Sequence, residues 1–90
     1  ETMSVLLNKV IGLLKSAEAT ETARQNLDEL RSQIDPDSGN ADLVLAEIGY
    51  LYAYSFIIDN NLAEAAKQYQ QLITTYPDSY WSLLAELQLP

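Results

Sequence analysis

Helix breakers are scarce in this 90-residue chain, and they fall where a string of helices would need them. There are three Gly and three Pro. Pro36, Gly39 and Pro77 separate apolar-periodic segments, Pro90 is terminal, and only Gly12 and Gly49 interrupt helical patterns. Proline removes a backbone donor and clashes with the preceding turn, so it marks ends rather than interiors. No segment alternates apolar and polar residues with period 2, so no sheet is expected. The expected fold class is all-α: about five helices paired as antiparallel hairpins.

The first helix is expected over Met3 to Ala17, with Val5, Leu6, Val10, Leu13, Leu14 and Ala17 at helical spacing. Thr20 or Thr22 can cap the second, which carries Ala23, Leu27, Leu30 and Ile34 on one face. Asp35 to Asn40 reads as a loop, because Pro36 biases Asp35 out of the helical region and Gly39 admits unusual φ. The third helix is expected over Ala41 to Asp59. It is apolar on most of its surface, which implies contacts on more than one side. Asn60-Asn61 breaks it, since Asn tolerates the left-handed conformation that ends helices. The fourth, Leu62 to Tyr76, turns Ala65, Ala66, Tyr69, Leu72 and Ile73 inward. After Pro77, Asp78 or Ser79 caps a fifth helix bearing Trp81, Leu84, Ala85 and Leu87.

Charge and composition narrow the function. Five Lys and Arg oppose 13 Asp and Glu, a net charge of −8. Phosphate recognition needs a basic surface, so nucleic acid is not an expected partner. Anionic lipid headgroups are disfavoured for the same reason. The chain has no Cys and no His, which excludes disulfides, thiol redox chemistry and His-based triads and leaves no ligand set for structural zinc. No nucleophile–base pair or Gly-rich phosphate loop can be assembled, so no enzyme and no cofactor are expected. The uncharged run Ile48 to Ile58 is 11 residues by count of the sequence. A membrane helix needs about 20, so direct membrane insertion is not expected. The sequence begins at Glu1 rather than Met and reads as a piece of a longer protein.

The two halves differ. All eight aromatic residues lie between Tyr50 and Trp81, and residues 32–90 hold one base, Lys67, against eight acids. The N-terminal hairpin reads as aliphatic packing, and the C-terminal half as an acidic, tyrosine-rich recognition surface.

Two helix–turn–helix units can be laid side by side. In the second the spacing is Gly49-x2-Tyr52-Ala53-x2-Phe56, then Ala65-x3-Tyr69, then Pro77. This resembles the tetratricopeptide repeat, W-x2-L-G-x2-Y, A-x3-F, P over about 34 residues. Ala53 and Ala65 supply small-residue contacts, while Gly49 stands where a large aromatic is usual and leaves room for a neighbour. Residues 3–36 resemble a degenerate repeat, 41–77 a clearer one, and 79–90 a capping or partial helix. The junction Tyr76-Pro77-Asp78-Ser79, with Trp81, Ser82 and Ala85 following, is similar to that of bacterial cell-envelope members such as the Tol–Pal coordinator and the barrel-assembly lipoprotein. The resemblance implies a short right-handed superhelix and favours the envelope or periplasm.

It also implies which faces do what. Gly49, Tyr52, Ala53 and Phe56 would pack on the paired helix. Glu47, Tyr50, Tyr54, Ile57 and Ile58 would line a concave groove, joined by Asn8, Gly12 and Lys15 from the first unit. A second reading packs Tyr50 and Tyr54 on the first hairpin or the fifth helix. The family's carboxylate-clamping mode needs several Lys, Arg and Asn, and only Asn8 and Lys15 are present here. The expected partner is therefore a protein or peptide that is basic or apolar. A homo-oligomer joined through exposed apolar surface, the last helix included, is the alternative. Trp81 reads as core under the fourth helix or as part of that surface. The stretch Asp35 to Asp42 has acids but not the calcium-loop spacing, and reads as a solvated turn.

Overall fold

The structure, a computed structural model, describes residues 3–15 and 17–89, and side chains within 7–15 and 18–89. Among the described residues five α-helices run in order: α1 Met3–Leu13, α2 Thr20–Gln33, α3 Ala41–Ile58, α4 Leu62–Thr75 and α5 Tyr80–Gln88, with a 3-10 turn at Ala17–Ala19. No strand occurs among the described residues, and the all-α class is what the periodicity implied. The first helix is shorter than expected. Its last turn tightens, with Lys15 N–H donating to the Gly12 carbonyl three residues back. Val5, Leu6 and Ala17, three expected core positions, lie outside the described side chains.

Consecutive helices pack on one another, and α3 meets α2, α4 and α5. The interior divides into two apolar clusters that share α3. The first gathers Val10 and Leu14, then Ala23, Leu27 and Leu30 of α2, and Ile48 of α3. The second gathers Ala46 and Ala53 of α3, Ala65, Tyr69 and Leu72 of α4, and Ala85 of α5. Ile48 and Ala53 thus serve opposite sides of one helix, which is the physical reason α3 is apolar nearly all round. By length and composition alone α3 could also cross a membrane, with a mean hydropathy of 1.4 over its 18 residues. Here helices flank it instead. The difference from the sequence reading is that the helix carries its apolar character past Glu47 to Ala41.

Small residues set the α3–α4 approach. Ala53 and Ala65 are both fully buried in the second cluster. A Cβ on Gly49 would stand 3.4 Å from Leu72 Cδ1, so Leu72 takes up the space beside this glycine. Tyr52 departs from expectation. It packs on the first cluster, under the Arg31 guanidinium at 5.5 Å, and so faces α2 rather than α4. The step of three from Gly49 to Tyr52 turns the side chain through about 300° at 3.6 residues per turn, enough to move it to the α2 side of a helix wedged between two layers. Leu87 is corrected too: it is 78% exposed, because α5 packs on α3 and α4 with one face and turns the other outward.

The junctions are built from local hydrogen bonds. Asn60 takes φ of 60°, the left-handed conformation that stops α3. The Asn61 side chain then accepts from the Glu64 N–H and caps α4. After Pro77, Ser79 Oγ accepts from the Trp81 N–H and caps α5. The buried Ser82 hydroxyl reaches back to the Tyr76 and Leu72 carbonyls, adding to the backbone bonds that these accept from the Ser79 and Tyr76 N–H groups. One short motif thus stops one helix, starts the next and seals the gap between them.

A polar tie joins α2 to the end of α3. Arg24 Nη1 lies 3.0 Å from Asp59 Oδ2, donates to Ser55 Oγ at 3.0 Å, and its guanidinium sits 4.5 Å over the Phe56 ring. Thr20, expected as an N-cap, donates its hydroxyl to Asp59 Oδ1 at 2.6 Å, and Ala19 occupies the cap position. An ionised carboxylate is a stronger acceptor than a hydroxyl is a cap, so the tertiary bond wins.

Candidate functional site

Residues 43, 47, 50, 54 and 57 follow one another at steps of four and three, so they form a single stripe along α3. The stripe borders α5, which packs beside it. Tyr50 is half-buried in the seam between these helices. Its ring centroid lies 5.5 Å from that of Tyr69 and 5.5 Å from that of Trp81. The reading that packs Tyr50 on the fifth helix therefore describes its place. Tyr54, one turn on, is 40% exposed. Ile57 packs at the edge of the second cluster, while Ile58 packs on the first and faces away from the seam. Asn8 and Lys15 are exposed on the first hairpin and make no hydrogen bond or ion pair with the α3 residues among the described residues. The seven candidate positions thus separate: Glu47, Tyr50, Tyr54 and Ile57 come together, and Asn8, Lys15 and Ile58 do not join them.

The seam has a cavity at each end. The first, about 390 Å3, lies where α3 and α5 begin, walled by Asp42, Leu43, Tyr76, Pro77, Asp78 and Tyr80. Leu43 and Tyr80 are 58% and 61% exposed, so apolar surface here faces solvent beside two carboxylates. The second, about 450 Å3, lies where α3 and α5 end and α4 begins, with Ile57, Leu62, Ala66, Tyr69, Gln88 and Leu89 around it. Among these residues Leu43 was legible as the next step of the stripe. Tyr80 and Gln88 were not, because nothing in the periodicity of α5 says which helix it lies against.

Electrostatics in the seam are those of one half-buried acid and a group of phenols. Glu47 is half-buried without an ion pair among the described residues, and burial holds its carboxyl above the usual range. Burial also raises the Tyr50 phenol, with Tyr54 and Tyr80 adding to the shift and Tyr69 and Gln88 opposing it. Tyr69 is 1% exposed, and burial pushes its phenol well up. Tyr50 and Tyr69 influence each other's titration, yet their hydroxyls lack hydrogen-bond geometry, and the Tyr69 hydroxyl has no partner. Among the described residues no three acids converge as metal ligands would. In the loop Asp35 accepts from the Asp37 N–H at 2.9 Å, a local turn.

No protein-family model, curated protein or solved structure matches this chain.

Two carboxylates give stability opposite pH dependences. Asp59 titrates below its ordinary value because Thr20 and then Arg24 hydrogen-bond its charged form, against the effect of burial. Its contribution is present above the unfolded carboxylate range, about pH 4, and is lost as pH falls through the lower folded value. The raised Glu47 acts the other way. Its desolvation penalty is full at neutral pH and disappears as the group protonates on the way down to about pH 4.5. Protonation of Glu47 is expected to raise the unfolding free energy as pH falls from neutral, and protonation of Asp59 to lower it at more acid pH. In urea titrations across pH, Glu47→Gln should flatten the first limb. Asp59→Asn should cost at most about 1 kcal/mol at pH 7, because the carboxylate is largely solvated, and should flatten the second. A wild-type curve unchanged by both substitutions would contradict these assignments.

Proposed function

We propose that the chain is a tetratricopeptide-like protein-interaction module that binds a protein or peptide partner along the α3–α5 seam. The observation that carries the reading is the exposure of Leu43, Tyr54 and Tyr80 along a seam whose floor is closed by the Tyr50–Tyr69–Trp81 cluster. Solvent-facing tyrosines on a rigid aromatic floor offer large amphipathic contact area at low entropy cost. The repeat-like placement of Gly49, Ala53, Ala65, Tyr69 and Pro77, and the burial of the two alanines against each other's helices, support the family part of the proposal. The acid excess favours a basic or apolar partner over nucleic acid. Nothing in the seam pairs a nucleophile with a base, which favours binding over catalysis.

A second reading, self-association, is favoured by one observation. Leu83 and Leu87 are exposed on the outer face of α5, and Leu62 at the start of α4. The experiment is site-specific cross-linking in the cell of origin, with a photoreactive phenylalanine at position 54 and a control at exposed Glu29. Adducts to a different protein from position 54 alone support the seam. Adducts only to a second copy transfer support to self-association, and equal yields at both positions remove the seam reading.

A further inference from the structure

The two end cavities differ in chemistry, and that difference describes the partner. At the α3 N-terminal end, Asp42 and Asp78 stand beside exposed Leu43 and Tyr80, and neither acid is ion-paired among the described residues. Glu47, one turn into the seam, is unpaired as well and partly desolvated. The bases of α2 and α4 are engaged elsewhere or face another way. Arg24 and Arg31 lie along α2, engaged with Asp59, Phe56, Asp28 and Tyr52, and Lys67 projects from α4 beside Gln70, Gln71 and Thr74. At the other end the walls are Ile57, Leu62, Ala66 and Leu89, with Gln88 and the edge of Tyr69 as polar exceptions. No charged side chain lines that cavity.

The two cavities belong to one surface. Tyr50 occupies the middle of the seam, its ring 5.5 Å from that of Tyr69, a wall of the second cavity, and 5.5 Å from that of Trp81, which packs on Tyr80, a wall of the first. Along α3, Leu43 and Ile57 are 14 residues apart, roughly 21 Å at about 1.5 Å per residue. The surface between them is side chain, because the backbone groups of α3 and α5 are spent within their helices. An extended strand laid there would find no ladder to pair with, whereas a helix brings its own backbone bonds satisfied. About 14 residues of helix cover the same span.

We propose, resting on the interaction reading above, that the α3–α5 seam takes an amphipathic helical segment of a partner protein in one orientation, its cationic end held at Asp42, Glu47 and Asp78 and its apolar end seated among Ile57, Leu62 and Leu89. Lys or Arg stems lie along Leu43 and Tyr80 while their charged heads meet the carboxylates. Leu or Phe fills the opposite cavity. A helix presents such anchors at i, i+3, i+4 and i+7 spacing. The opposite orientation would place cations against a wall without a counter-charge and leave three acids unpaired.

The test uses a 14-residue synthetic helix with two Arg at one end and Leu and Phe at the other, together with a control peptide in which Glu replaces the Arg pair. Trp81, the single tryptophan, packs on Tyr50 and Tyr80 and reports occupancy by fluorescence. The Arg peptide is expected to bind, and its affinity to fall with salt. Asp42→Asn with Asp78→Asn should weaken it about tenfold at low salt. Leu62→Ala, at an exposed helix position where alanine is well tolerated, should weaken it similarly without changing the salt dependence. A nitroxide on the cationic end should broaden the amide resonances of Leu43 and Tyr80, and one on the apolar end those of Ala63 and Leu89. The inference falls if the labels map in reverse, if the Glu peptide binds as well, or if the shifts cluster on Leu83 and Leu87. It also falls if no peptide binds, and a heterologous cross-link at position 54 would then show that the interaction reading survives with a different partner chemistry.

Discussion

Tyr69→Ala should destabilise the protein by about 3–5 kcal/mol, a large part of the stability of a 90-residue domain. Tyr69 is the largest fully buried side chain among the described residues, and it lies in the second cluster with the α3 alanines, Leu72 and Ala85, its ring 5.5 Å from that of Tyr50. Truncation leaves a cavity between three helices, and small alanine neighbours have no reach to fill it. Tyr69→Phe should behave in the opposite sense. The hydroxyl is buried and has no hydrogen-bond partner, so its removal ends a desolvation cost and leaves stability equal or up to about 1 kcal/mol higher. Urea denaturation followed by circular dichroism measures both. If the phenylalanine variant loses as much as the alanine one, the hydroxyl is making a bond and the packing account of this residue is wrong.

Leu27→Ala should cost about 2–5 kcal/mol and should act on the other half of the molecule. Leu27 is fully buried among Val10, Leu14, Leu30 and Ile48, which hold α1 and α2 to α3. Among the described residues the two clusters share α3 as their common wall, and the Arg24–Asp59 tie fastens α2 to the end of that helix, so each cluster depends mainly on its own neighbours. Weakening the first cluster should therefore open the N-terminal hairpin ahead of the rest. Hydrogen exchange is expected to lose protection in α2 while α4 keeps it. Equal loss in both helices would show one cooperative core and would replace the two-cluster description.

Much of this was legible before any coordinates. The breaks at Asn60-Asn61 and Pro77, the inward alanines at 53 and 65, and Ser79 as a cap each follow from local chemistry that the backbone cannot evade. Other residues were misread where two tertiary surfaces competed for them. Tyr52 went to α2 and Ile58 to the first cluster, because a helix packed on two sides gives its periodicity no single inward direction. Thr20 left its capping role when the fold brought Asp59 to it across 39 residues. Leu87 looked like core by spacing and is exposed, since α5 packs on α3 and α4 with its other face. Leu43 was within reach of the same stripe that marked Glu47, Tyr50 and Tyr54, but its value depends on Tyr80 arriving beside it.

What the residues determined alone is the number of helices, where they stop, and an acid excess that any fold would have to display, because propensity, capping and charge are properties of short stretches of chain. Tertiary structure decided which tyrosine became floor and which stayed in solvent, and that the acids of Asp42 and Asp78 share a cavity with Leu43 and Tyr80. That division arises because side-chain partners across helices are set by packing angles, and no local spacing encodes those.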